Sequence, residues 1–225
     1  MKYLTLLFAI ALTFLVVFVI KKDVKSNDGT DIKTKIESDE IKKCEQYLKK
    51  IDSMNLSLRW KLLNCGLWQN KNGEIGFKTN RVICSDGQVI AENYITKFGF
   101  NENPPLKDIV DTATFNELGN TYYKDKNHIY HYYAMSDGGS FNRFEKADHQ
   151  TFQIIGDCYA KDKNYIFDLK GNKIDADYKT FKTTNGLSGC VAKDKNGYFA
   201  WGERINPDEI DDDYLRKAIL QLDEE

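Results

Sequence analysis

Asp148-His149-Gln150-Thr151-Phe152, followed by Ala160-Lys161-Asp162-Lys163-Asn164-Tyr165, is the stretch that decides the fold, because both halves recur. The first half matches Asp111-Thr112-Ala113-Thr114-Phe115 and Asp177-Tyr178-Lys179-Thr180-Phe181. The second matches Tyr123-Lys124-Asp125-Lys126-Asn127 and Ala192-Lys193-Asp194-Lys195-Asn196. The leading Asp precedes the Asp of D-K-N by 14 residues twice (125−111, 162−148) and by 17 once (194−177). A three-residue insertion near Thr184-Asn185-Gly186 accounts for the longer spacing. A second insertion, Met135–Ser140, separates the first two copies, with Gly138-Gly139 at its tip. A period of about 30 residues implies stacked supersecondary units that share a core.

One unit follows from elementary chemistry. The Asp of D-x-x-T-F suits a helix N-cap or tight turn, its carboxylate accepting otherwise unpaired N–H groups. Phe115, Phe152 and Phe181 then point inward. A strand, an Asp-Lys-Asn turn and a second strand follow, with Asn expected at φ > 0 to close the hairpin. Period-two alternation puts Thr121/Cys158/Cys190 and Tyr123/Ala160/Ala192 on one face and Tyr122/Tyr159/Val191 on the other. Tyr130, Phe167 and Phe199 fill equivalent slots after the turn.

The three K-D-K-N cores with aromatics close behind resemble the DKNYY repeat family over about residues 106–205. Asp162-Lys163-Asn164-Tyr165 matches best; His128 and Gly197 depart from the Tyr. The family carries no assigned activity or ligand. The resemblance therefore implies a bacterial repeat module and supplies no catalytic residues.

Outward from the repeats, Pro104-Pro105 marks a boundary. Residues 37–104 read as a small α+β module. Ser38 caps a helix with an apolar stripe at Ile41, Cys44, Leu48 and Ile51, and alternation at Leu56, Leu58, Trp60 and Leu62 predicts a strand. Gln69-Asn70-Lys71-Asn72-Gly73 and Ser85-Asp86-Gly87 supply turns. Tyr3–Ile20 is an uncharged run of 18 residues, about 27 Å as a helix and close to a bilayer core. With no A-x-A-like site before Lys21-Lys22, residues 1–22 read as an uncleaved transmembrane anchor, and 23–36 as a polar tether. Lys2 against Lys21, Lys22 and Lys25 favours a cytoplasmic C-terminal part. The short basic head before the apolar run is, however, how a signal-anchor starts, and the expectation is an extracytoplasmic domain, with a cytoplasmic one as the alternative. Residues 206–225 read as an acidic capping helix, with Pro207 near its first turn and Ile210, Tyr214, Ala218 and Leu222 on one stripe.

The fold class expected is α+β, mainly β: stacked antiparallel hairpin repeats with short helices behind one transmembrane helix. Lys+Arg 32 against Asp+Glu 34 argues against nucleic acid. Asp162-x-Asn164 and Asp194-x-Asn196 begin like calcium loops, but Ile166, Phe167, Tyr198 and Phe199 stand where ligands and Gly are needed. His128 and His131 fall on opposite strand faces, so they share no metal easily, and a surface or half-buried imidazole is the expectation for the three histidines, His149 included. No cofactor motif is present. Among Cys44, Cys65, Cys84, Cys158 and Cys190, a Cys65–Cys84 disulfide and buried free thiols are both open. Tyr122, Tyr123, Tyr130, Tyr132 and Tyr133 form the one chemically rich cluster, for cross-strand packing or, where exposed, for a protein or glycan partner. The functional expectation is a non-enzymatic binding or scaffolding module of the cell envelope, with no catalytic, cofactor or metal residues. The alternative is a thiol-dependent enzyme or redox protein.

Overall fold

The computed structural model describes residues 29–84, 89–99, 104–186 and 189–224, with side chains from Asp39 onward. The expected anchor, the first part of the tether and the Ser85-Asp86-Gly87 turn lie outside the described residues. No helix among the described residues is long and apolar enough to cross a membrane. The chain divides into two units, residues 1–45 and 46–225, and the second holds all the strands.

Helix α1 (Gly29–Leu58) extends into the second unit. It corrects the sequence reading at both ends: it starts within the expected polar tether rather than at Ser38, and it consumes Leu56 and Leu58. No Gly or Pro interrupts Thr30–Leu58, so nothing stops the helix once it has formed. The alternation of Leu56 with Leu58 is coincidental, and Leu56 is exposed. Arg59 ends the helix at φ 52, where its N–H still reaches the Asn55 carbonyl.

Four small antiparallel sheets come next, each joined in sequence order. The first contains β1 (Lys61–Asn64), β2 (Leu67–Gln69), β3 (Ile75–Val82) and β4 (Ile90–Ile95). Helical turn α2 (Leu106–Ile109) leads to the second, β5 (Asn116–Gly119), β6 (Tyr122–Lys124), β7 (Ile129–Tyr133) and β8 (Ser140–Arg143). The third has β9 (Gln153–Ile155), β10 (Tyr159–Lys161) and β11 (Ile166–Phe167), with a Phe167–Lys173 bridge in place of a fourth strand. The last holds β12 (Lys182–Thr183), β13 (Ala192–Asp194), β14 (Gly197–Ala200) and β15 (Glu203–Ile205). Cys65-Gly66, Asn120-Thr121 and Trp201-Gly202 each close a two-residue hairpin loop with positive φ at both positions, matching the twist of the flanking strands.

The expected mainly β architecture is present, and it has four units rather than three. Asn70-Lys71-Asn72 occupies the β2–β3 turn as Asp-Lys-Asn does in the others. Leu67, Tyr122, Tyr159 and Val191, each three residues before that Asn or Asp, are all fully buried. Ile75, Tyr130, Phe167 and Phe199, each five residues after it, are buried too.

Because the sheets stack, both faces of each inner sheet are covered. Tyr123, Phe115, Tyr130 and Phe141 of the second unit pack on Leu67, Ile75 and Phe77 of the first. Tyr122 meets Phe152, Ala160 and Phe167 of the third. Tyr159 and Ile166 meet Cys190, Ala192 and Phe199 of the fourth. Val191 meets Ala218, Ile219 and Leu222 of helix α3 (Asp213–Glu224), which seals that end of the stack. The seal differs in detail from the sequence reading. Pro207 opens a separate 3-10 turn, Asp212 caps α3 by accepting from Tyr214 N and Leu215 N, and Tyr214 is 75% exposed while Leu215 and Ile219 join the apolar face.

Candidate functional site

The polar residues that recur with the repeats are the obvious candidates for shared chemistry. Asp162 is 2% exposed. Its Oδ1 accepts Asn164 N and Tyr165 N at 2.7 Å, and its Oδ2 accepts Asp148 N at 2.8 Å. Asp125 repeats this with Asn127 N, His128 N and Asp111 N. Asp194 accepts Asn196 N and Asp177 N and pairs with Arg204 at 3.0 Å. The Asp of D-x-x-T-F accepts from the Thr hydroxyl and N–H three positions on. That hydroxyl accepts the N–H of the D-K-N lysine at 3.0 Å in all three copies. The lysine ammonium returns to the first Asp, at 2.6 to 2.8 Å. The two sequence motifs are thus halves of one hydrogen-bonded lock. The D-K-N Asn does not take the positive φ expected from the sequence, because the buried carboxylate, not a left-handed Asn, closes the turn.

Electrostatics agree. Burial alone would raise the Asp125 carboxyl, but donation from Tyr130 OH and three N–H groups holds it below the ordinary carboxylate range. Lys163 and Thr151 hold Asp148 at about 2. The Arg204 guanidinium holds Asp194 well below its usual value.

The tyrosine cluster does not form a surface. Tyr122 and Tyr130 are fully buried, so of the two readings packing is the one that applies to them and neither presents a ring to a partner. Tyr122 OH donates to the Asp168 carbonyl at 3.0 Å, and Tyr130 OH to Asp125 at 2.6 Å. Tyr123 and Tyr132 are half-buried against the first interlayer, and burial pushes Tyr123 up to about 12. Tyr133 alone is exposed, at 40%. Stacking on both faces of a strand defeats the rule that one face looks outward.

The histidines are also absorbed. His131 is buried rather than at the surface or half-buried, because the stack covers both faces of its strand; it donates from Nε2 to the Leu169 carbonyl, and His149 to the Asp125 carbonyl, each at 2.9 Å. Cys158 and Cys190 form a disulfide, and Cys44 and Cys84 are also disulfide-bonded. The open possibility of a Cys65–Cys84 pair therefore falls: Cys65 is a free, half-buried thiol donating to Asn64 Oδ1 at 2.8 Å. Among the described residues no group of His, Cys, Asp and Glu could hold a metal.

What remains lies at the N-terminal end of the stack. Among the described residues the outer face of the first sheet meets no further sheet, and an open recess of about 650 Å³ stands there. Its wall is aromatic. Trp60 stacks on Tyr94 with ring centroids 4.2 Å apart, and Trp68 meets Tyr94 edge-on at 5.9 Å. Gly76 permits this: a Cβ there would lie 2.9 Å from the Trp60 ring. Lys78 Nζ sits 4.8 Å from the Trp68 centroid and pairs with Glu92 at 2.5 Å. Asp52 and Arg59 complete the rim, and among the described residues neither makes an ion pair. The sequence pattern hides this site, because alternation places Trp60 on the buried face of a strand. The signal it does carry is three aromatics with intervening charges in one unit, with Trp68 at the position where the third and fourth units carry Ala160 and Ala192 and the second carries Tyr123.

No family model matches the chain, and no curated protein or solved structure does either. The likeness to the DKNYY repeats rests on the K-D-K-N and D-x-x-T-F residues themselves.

Proposed function

We propose that this chain is a membrane-tethered, non-enzymatic binding module of the bacterial cell envelope. In this reading the repeat stack is a rigid scaffold and the aromatic recess its binding surface. One observation carries it: the polar residues that recur with the repeats are spent on closing turns, while the first unit gathers two tryptophans, a tyrosine and four charged side chains around one open recess. The Cys158–Cys190 disulfide supports an oxidising compartment, hence an extracytoplasmic domain, since thiols are kept reduced in the cytosol.

The test uses the full chain in a detergent without a sugar headgroup. It should co-sediment with isolated envelope fragments, and Trp68→Ala should reduce the bound fraction at least fivefold. Equal sedimentation of variant and parent would remove the recess from the binding role. The thiol-enzyme alternative is left with Cys65, and rapid alkylation of Cys65 in the folded chain with loss of a measurable activity would restore it.

A further inference from the structure

We infer that the recess of Trp60, Trp68 and Tyr94 takes an uncharged sugar ring of an oligosaccharide; this deepens the binding reading and rests on it. The shape of the recess fits such a ring. The indole of Trp60 is held flat against Tyr94 and over Gly76, so its orientation is fixed before any ligand arrives. Preorganised flat apolar surface loses little entropy on binding and suits the C–H faces of a pyranose.

Its charge selects against ions. The recess is lined by two acids, Asp52 and Glu92, and two bases, Arg59 and Lys78. Glu92 is already matched by Lys78 and accepts from Tyr94 OH at 3.2 Å. Lys78 already occupies the cation position against Trp68. A quaternary ammonium would have to displace it, and the two acids and two bases of the lining balance, so a ligand of either net charge gains no net attraction. Of the four charged groups, Arg59 and Asp52 are in no ion pair among the described residues, and the Asn55 amide lies beside them with its Nδ2 donating to the Glu92 carbonyl. A polyhydroxylated, neutral ring uses both Arg59 and Asp52, because each hydroxyl donates and accepts.

Its position leaves it open. At the other end of the stack the sheet face is sealed by Ala218, Ile219 and Leu222 of α3. At the recess end the last turns of α1 supply only one rim, Asp52, Asn55 and Leu56, and Trp68 and Trp60 stay half-buried beside it.

The experiment uses the full chain in the same detergent, carrying Trp201→Phe so that Trp60 and Trp68 are the remaining tryptophan fluorophores. Chitotetraose and cellotetraose are the neutral probes, and a tetragalacturonate is the acidic one. The expected result is a saturable change in fluorescence with at least one neutral probe. Arg59→Gln and Asp52→Asn should each weaken it about three- to tenfold, and Trp68→Ala more. Arg59 and Asp52 are exposed, so those two variants keep the test valid if Trp68→Ala fails to fold. Tighter binding of the acidic probe would overturn the inference. So would silence with both neutral probes while envelope sedimentation persists, which leaves the binding module standing with another ligand. Loss of sedimentation and saccharide response together would overturn both.

Discussion

A carboxylate sealed from water is normally a cost, and Asp162 shows how the chain offsets it. Three backbone N–H groups converge on its two oxygens, so the charge replaces three hydrogen bonds that a tight turn would leave unmade. Asp162→Asn keeps the Oδ1 pair but turns an amide N–H toward Asp148 N. It should cost about 1–3 kcal/mol, read as a lower urea midpoint at unchanged slope; a cost under about 0.5 kcal/mol would show that the lock is not what holds the turn. The first unit supplies a natural contrast. Asn70 accepts Asn72 N and Glu74 N through Oδ1, while its amide donates to Glu74 Oε2 at 2.6 Å. There the acceptor is supplied by Glu74, so Asn is the residue that fits.

The same carboxylates set a pH dependence. Asp111, Asp125, Asp148, Asp177 and Asp194 are all held below their ordinary value near 3.8. A lowered folded-state value means the unfolded chain binds more protons in that window. The stability from these groups is therefore fully present above about pH 4 and is lost as the pH falls toward about 2, where Asp148 titrates. Burial also lowers the His131 imidazole below its ordinary 6.5, so the unfolded chain takes up that proton first as the pH falls. Denaturation followed from pH 7 to pH 2 should give a shallow decline below about pH 6.5, removed by His131→Gln, and then a steep fall below about pH 4; a flat profile down to pH 2 would show that the carboxylates do not stabilise the fold.

Between elements, register is held by contacts that repeat from unit to unit. His149 and Tyr178, each one residue past the Asp of D-x-x-T-F, donate to the carbonyls of Asp125 and Asp162 in the preceding unit. Tyr122 OH and Tyr159 OH reach forward to the Asp168 and Cys190 carbonyls. The Cys158–Cys190 disulfide adds a covalent link across 32 residues. Closing a loop of that size removes unfolded-state entropy worth about 3–4 kcal/mol. Cys158→Ala combined with Cys190→Ala should lose roughly that amount, seen as a matching drop in unfolding free energy by urea titration. A loss under about 1 kcal/mol would mean that the third and fourth units stay associated in the denatured chain.

How much of this is legible in the sequence depends on where each signal resides. The lock is visible because Asp, Thr, Phe, Lys and Asn all act within one unit and recur at fixed spacing. The pairing of Asp111 with Lys126 is not, because it depends on how the turn folds back. The first unit escapes notice because Asn replaces Asp at residue 70 and no D-x-x-T-F precedes it. Burial of Tyr122 and Tyr130 is hidden for a third reason: alternation tells which residues share a face, and only the stack tells that both faces are covered. The recess is out of reach because Trp60, Trp68 and Tyr94 meet only after β2, β3 and β4 have paired.

At the scale of the whole molecule, cysteine chemistry supplies the test of the proposed extracytoplasmic placement. Four of the five cysteines are disulfide-bonded, and Cys65 alone is free. If the domain matures outside the cytoplasm, alkylation of the denatured, unreduced chain with a mass-tagged maleimide should add one tag, and five after reduction. A cytoplasmic domain would take five tags without reduction, and that result would move the partner search inside the cell. Side can be read independently with Asp211→Cys, an exposed position, in a Cys65→Ser background. An impermeant maleimide should label that variant in intact cells. The two measurements check each other, because disulfide formation during lysis would protect thiols without making the introduced cysteine reachable from outside. One tag with outside labelling supports an envelope module whose recess faces envelope glycans. Five tags with labelling only after lysis would remove the compartment argument for the proposed function while leaving the hydrogen-bonded lock untouched, since it uses no cysteine.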